Sequence, residues 1–129
     1  MDKVVHFELP VDNIDRAKKF YKEAFDWTTE DVPNMDYVIV RTAEVDENRM
    51  IKEVGAINGG MFKREGAGET VNSPSFAVSV ENIDEAVKKI KNAGGLIFKE
   101  KSPVGDMGFI AYFKDTEGNI LSVWQNKPA

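Results

Sequence analysis

The sequence predicts an α+β fold: two tandem βαβββ modules with pseudo-two-fold symmetry, forming an open barrel-like cleft. The first observation behind this is a repeat, in which residues 7–24 return, lightly altered, as residues 76–93. Nine of the eighteen pairs are identical: Phe7/Phe76, Val11/Val80, Asn13/Asn82, Ile14/Ile83, Asp15/Asp84, Ala17/Ala86, Lys19/Lys88, Lys22/Lys91 and Ala24/Ala93. Two copies are too few for a solenoid, which needs several stacked units to bury its faces, so the copies are expected to close around a shared cleft. The second observation is order: each copy runs from a strand pattern into an amphipathic helix and then into three short β-rich stretches. The third is size, since 129 residues with 42% hydrophobic content suffice for one globular domain with a sizeable core.

Taken in chain order, the opening strands are Val4 to Leu9 and Ser75 to Val80. Each leads through an asparagine, Asn13 or Asn82, whose short side-chain oxygen suits it to accept from a free amide in the first helical turn. The first helix spaces Ile14, Ala17, Tyr21, Ala24 and Phe25 on one face, and the second spaces Ile83, Ala86, Val87, Ile90 and Ala93 likewise. Gly94-Gly95 suits a left-handed end to the second helix, whereas the first has no glycine and is expected to place Asp26 there. The remaining strands are Thr28 to Val32, Tyr37 to Thr42 and Val54 to Phe62, then Leu96 to Lys99, Phe109 to Phe113 and Ile120 to Gln125. Module one is therefore 1–63, a Gly- and Pro-containing connector covers 64–74, and module two is 75–129. The connector and the charged stretch Ala43 to Glu53 are both expected to be mobile.

Composition removes several function classes. The net charge is −5, with Lys and Arg dispersed among Asp and Glu, so no basic face is available for nucleic acid. The absence of cysteine excludes disulfides, thiolate metal sites and a cysteine nucleophile. Met1-Asp2-Lys3 leads straight into a strand pattern, and no apolar run approaches the roughly 20 residues a membrane helix needs. A cytoplasmic location, with no membrane partner, is the expectation. Gly66-Ala67-Gly68 lacks the lysine and the strand-to-helix context of a phosphate loop, and no G-x-S-x-G elbow supports a serine nucleophile.

Strand parity selects the candidate site. With Phe7, Leu9, Phe76, Val78, Val80, Leu121 and Val123 turned toward the helices, His6, Glu8, Ser75, Ala77, Ser79, Ile120, Ser122 and Trp124 face the cleft. His6 reads as a hydrogen-bonding wall or as a general base, and Glu8 as a ligand anchor or as one half of an ion pair. Trp124, Tyr112, Phe109 and Met61 line an apolar pocket or belong to the core. Gly59 and Gly60 admit a ligand closely or make a bend.

The doubled unit, the opening from His6 to Val11 running into Ile14-Asp15-Arg16-Ala17-Lys18-Lys19-Phe20-Tyr21, and Asp115-Thr116-Glu117-Gly118-Asn119 before the last strand together resemble the glyoxalase, bleomycin-resistance and extradiol-dioxygenase superfamily, the vicinal oxygen chelate proteins. The resemblance covers essentially the whole chain. Asn58-Gly59-Gly60-Met61-Phe62 resembles the Gly-Gly turn of a branch of small members. In metal-using members, four cleft positions carry His or Glu ligands to a divalent ion. The resemblance implies that these fall here on His6, Asn58, Ser75 and Ser122, of which only His6 is a strong ligand. A dioxygenase triad of two histidines and a carboxylate cannot be built with one histidine.

The resulting expectation is a protein that binds a small organic molecule in its cleft without a metal or other cofactor. The ligand-binding residues are then His6, Glu8, Asn58, Gly60, Ser75, Tyr112, Ser122 and Trp124. The alternatives are a metal-assisted lyase or isomerase of the lactoylglutathione-lyase type, with His6 and Glu8 catalytic, and a non-catalytic interaction or regulatory domain. Superfamily members often pair, and this chain is expected to form a homodimer.

Overall fold

The computed structural model describes residues 1–64 and 72–128, so the connector glycines Gly66 and Gly68 lie outside the described residues. Two compact units emerge: residues 6–74, and residues 75–129 together with 1–5.

In the first, β1 (Lys3–Val11) leads to α1 (Ile14–Phe25), β2 (Thr28–Asp31), β3 (Val38–Arg41) and β4 (Asn58–Lys63). The strands lie in the order β2-β3-β4-β1, with β1 parallel to β4 and the other pairs antiparallel. In the second, β5 (Ser75–Ser79) leads to α2 (Ile83–Asn92), β6 (Leu96–Val104), β7 (Gly108–Lys114) and β8 (Ile120–Asn126). The order is β6-β7-β8-β5, with β5 parallel to β8 and the rest antiparallel. The sequence repeat is therefore a repeat of topology, βαβββ twice, in an α+β chain.

The helices begin where the asparagines place them. Asn13 accepts from the Arg16 amide at 2.9 Å and Asn82 from the Glu85 amide at 3.1 Å. Gln125 of β8 adds a second acceptor at the start of α2, taking the Ile83 amide at 2.8 Å and tying the helix to its sheet. Asp26 closes α1 in the left-handed region at φ 60°, its carboxylate paired with Lys22. Gly94 closes α2 at φ +102°.

Each helix covers one face of its sheet. Ile14, Ala17 and Tyr21 pack with Phe7, Leu9 and Val11 on Val38, Val40 and Met61. Val87 and Ile90, with Val78, Val80, Phe109 and Phe113, pack on Ile83, Ala111 and Val123. Ile83 is fully buried, which contributes about 1.5–3 kcal/mol relative to exposure. Of the residues expected beneath the helices, Phe7, Leu9, Val78, Val80 and Val123 lie in the two cores, whereas Phe76 stays 40% exposed and Leu121 is not among the residues packed on the core beneath α2. Met61 and Phe109 belong to the two cores.

Two strand boundaries also differ. The stretch beginning at Val54 is extended only from Asn58, because Gly55 takes φ +88° and breaks the pleat, leaving Val54 in solvent. β6 continues past Lys99 to Val104 through two register shifts and carries Pro103, which an edge strand tolerates. Within Ala43 to Glu53, Asp46 accepts from the Asn48 and Met50 amides, and Val45 bridges Ile51, forming a defined turn. Among the described residues no helix is long and apolar enough to cross a membrane.

Candidate functional site

In the unit of residues 6–74, the sheet face turned away from α1 carries His6 and Glu8 on β1, opposite Asn58 and Gly60 of β4 respectively. Glu8 is 5% exposed, deeper than a carboxylate normally lies, and it is hydrogen-bonded or otherwise partnered. The Nε2 atom of His6 lies 2.6 Å from the Tyr37 hydroxyl. Burial disfavours the imidazolium and lowers the His6 pKa from its ordinary value, so the ring is neutral at neutral pH. A neutral imidazole offers one donor and one acceptor, the repertoire of a hydrogen-bonding anchor or a weak base.

Tyr37 was missed by sequence reasoning. Its only signal is an aromatic with a polar tip, one residue ahead of β3 and in the parity of the His6 face. Pairing it with His6 requires the register of β3 on β4, Ile39 against Gly60, which links residues far apart in sequence.

The Asn58 side chain is engaged with the backbone at the end of β3. Its side-chain oxygen accepts from the Thr42 amide at 2.8 Å and the Ala43 amide at 3.0 Å, while its amide nitrogen donates to the Ala43 carbonyl at 3.2 Å. The side chain thus closes the end of β3 onto β4.

In the unit of residues 75–129, Ser122 of β8 stands in register between Ala77 of β5 and Tyr112 of β7, with Trp124 two residues further along. The Ser75 hydroxyl donates to the Ile120 carbonyl at 2.7 Å. The Trp124 indole N–H donates to Asn126, and its ring packs over Gly108, where a Cβ would lie 2.7 Å away. Ser122 is 1% exposed, and its hydroxyl has no hydrogen-bond partner among the described residues.

These arrangements do not fit the superfamily's usual divalent ion. Asn58 spends its oxygen on two amides and Ser75 is committed to a carbonyl, and neutral oxygens compete poorly with water for such an ion. Among the described residues no three His, Asp or Glu side chains are grouped as a metal site.

An open depression of about 420 Å³ lies on the other side of the first sheet, lined by Phe7, Leu9, Tyr21, Trp27, Thr42 and Ile57. It is a seam beside α1 dominated by the Tyr21–Trp27 stack, whose ring centres are 4.9 Å apart.

Comparison with known proteins agrees with this fold. The family described as bleomycin resistance protein-like N-terminal matches residues 3–43. A probable lactoylglutathione lyase of Vibrio parahaemolyticus is 28% identical over 131 residues, covering 98% of this chain and 93% of the relative. A glyoxalase/bleomycin resistance protein/dioxygenase superfamily member from Vibrio splendidus superposes with TM-score 0.64 at 11% identity, over 98% of this chain and 100% of that one. A methylmalonyl-CoA epimerase of Streptomyces coelicolor, solved in complex with 2-nitronate-propionyl-CoA, superposes with TM-score 0.67 at 12% identity, over 98% of each chain. With its doubled βαβββ topology, the chain has the fold of these solved structures, and its residues 3–43 are similar to the bleomycin resistance protein-like N-terminal family.

Proposed function

We propose that this protein binds a small organic molecule through the sheet face carrying His6 and Glu8, without a divalent ion held at the superfamily's usual positions. The observation that carries this reading is the neutral, part-buried His6, fixed by Tyr37 beside a buried carboxylate on the face away from α1. Directed polar groups on an otherwise packed strand face are what fix a ligand's orientation. On this face Gly60 is a further proposed ligand contact, with Asn58 acting through the backbone it holds; within the unit of residues 75–129 the proposed ligand contacts are Tyr112, Ser122 and Trp124, with Ser75 acting through the backbone it holds. The chain is read as a cytoplasmic homodimer, and light scattering checks its mass.

The test is elemental analysis of freshly purified protein, with melting followed in the presence and absence of a chelator. A tightly bound ion stabilises the folded state, so stripping it lowers the melting temperature. The expected result is no stoichiometric metal and no change in melting. One metal per chain and a clear fall in chelator sink the reading.

A second reading, favoured by the Vibrio parahaemolyticus relative, is a metal-assisted lyase or isomerase with His6 and Glu8 as the catalytic groups. Turnover of lactoylglutathione on addition of a divalent metal, lost in His6→Ala, would establish it.

A further inference from the structure

Gly59 and Gly60 are neighbours in β4 whose missing side chains would point to opposite faces of the sheet. A Cβ on Gly60 would stand 1.9 Å from the Tyr37 hydroxyl, inside any permissible contact. Since β4 lies between β3 and β1, the phenol of Tyr37 passes over Gly60 to reach His6. The two ring centres are 6.3 Å apart and the planes 18° from parallel. Two rings joined end to end through one hydrogen bond have about this span, so the hydroxyl meets Nε2 close to the direction of its in-plane lone pair or N–H.

We propose that Tyr37 is a positioning residue for His6, admitted by Gly60, which fixes the ring nitrogen that carries the proton and hence the hydrogen bond His6 offers to a ligand. This rests on the reading of His6 as a ligand-binding group. A neutral imidazole has two tautomers, each placing a donor on one nitrogen and an acceptor on the other. A phenol can donate to a bare Nε2 or accept from a protonated one, but phenol is the stronger acid and the imidazole nitrogen the stronger base, so the bond in which Tyr37 donates is favoured and the proton is left on Nδ1. A ligand group meeting the ring through Nδ1 then encounters always a donor, and ligands with the wrong complement are rejected because a buried polar group is left unpaired. The lowered pKa of His6 agrees with a ring that works in its neutral form. Gly60 is thus the opening through which a specificity-setting side chain reaches its target.

His6 is the only histidine, so its ring nitrogens can be followed without ambiguity. Long-range proton–nitrogen correlation spectra of the ligand-free, nitrogen-15-labelled protein, taken above neutral pH, report the tautomer directly. The wild type is expected to show one dominant tautomer, with the proton on Nδ1. In Tyr37→Phe the ring nitrogens should move toward the averaged shifts of a mixed-tautomer imidazole, with the amide spectrum changed only near β1, β3 and β4. Gly60→Ala, which keeps the phenol but blocks its path, should move them the same way. A wild-type ring already averaged between tautomers or protonated on Nε2, or ring nitrogens unmoved in Tyr37→Phe, overturns the proposal. If Gly60→Ala does not fold, Tyr37→Phe alone decides. No ligand is present in the measurement, so a failure of His6 to bind one is seen separately, by titration.

Discussion

Phe7 lies over Gly59 so closely that a Cβ on residue 59 would stand 2.4 Å from the Phe7 carbonyl oxygen and 2.5 Å from its ring. The two are register partners on β1 and β4, and the Phe7 ring sits 5.8 Å from that of Trp27 beneath α1. Gly59→Ala must displace backbone as well as a ring, and should cost about 1–3 kcal/mol as overpacking. Phe7→Ala should cost about 2–4 kcal/mol, at or below the range for a fully buried phenylalanine, because Phe7 is only part-buried. Urea denaturation measures both. A Gly59→Ala protein as stable as wild type would show that the contact relaxes without cost.

What the sequence revealed and what it hid divide along the range of the interactions. The helix caps were legible because Asn13 and Asn82 act on amides three residues away, and strand parity was legible because it is local alternation. The two roles of Gly59 and Gly60 were hidden, since each depends on a side chain from another strand, Phe7 or Tyr37. The backbone partners of Asn58 were hidden for the same reason, since Thr42 and Ala43 are brought to it only by the pairing of β3 with β4. A polar residue on the right face is identifiable from parity, but whether it is already spent on backbone is not.

Burial holds the His6 pKa below its ordinary value of about 6.5. The unfolded chain therefore takes up a proton at a pH where the folded chain does not. His6 does not oppose folding above about pH 6.5, but stability is lost progressively as the pH falls from there toward the lowered folded value. Urea midpoints measured in steps from neutral to mildly acid pH should decline in the wild type more steeply than in His6→Gln, a comparison that separates His6 from the carboxylates. Parallel curves, or a wild type that gains stability on acidification, contradict the burial of a neutral ring.

Ser75 and Ser122 are both buried serines, yet among the described residues only the Ser75 hydroxyl has a hydrogen-bond partner. Ser75→Ala strands the Ile120 carbonyl and should cost about 1–3 kcal/mol, whereas Ser122→Ala removes an unsatisfied hydroxyl and should be neutral or stabilising by up to about 1 kcal/mol. Thermal denaturation of the pair reads the difference. Equal destabilisation by both substitutions would mean that Ser122 has a partner in solution.

Metal-independent ligand binding at His6 and Glu8 is tested most directly by calorimetric titration in chelator. The ligand is the small molecule that most raises the melting temperature in a metabolite screen, and the proteins are the wild type, His6→Ala and Glu8→Gln, the last preserving the volume of a buried carboxylate. Losing one directed hydrogen bond costs about 1–3 kcal/mol, so each variant should bind roughly 5- to 150-fold more weakly. His6→Ala should meanwhile melt close to wild type, since its side chain lies outside the core beneath α1. Wild-type affinity in both variants, or binding that disappears when the chelator is added, would contradict it.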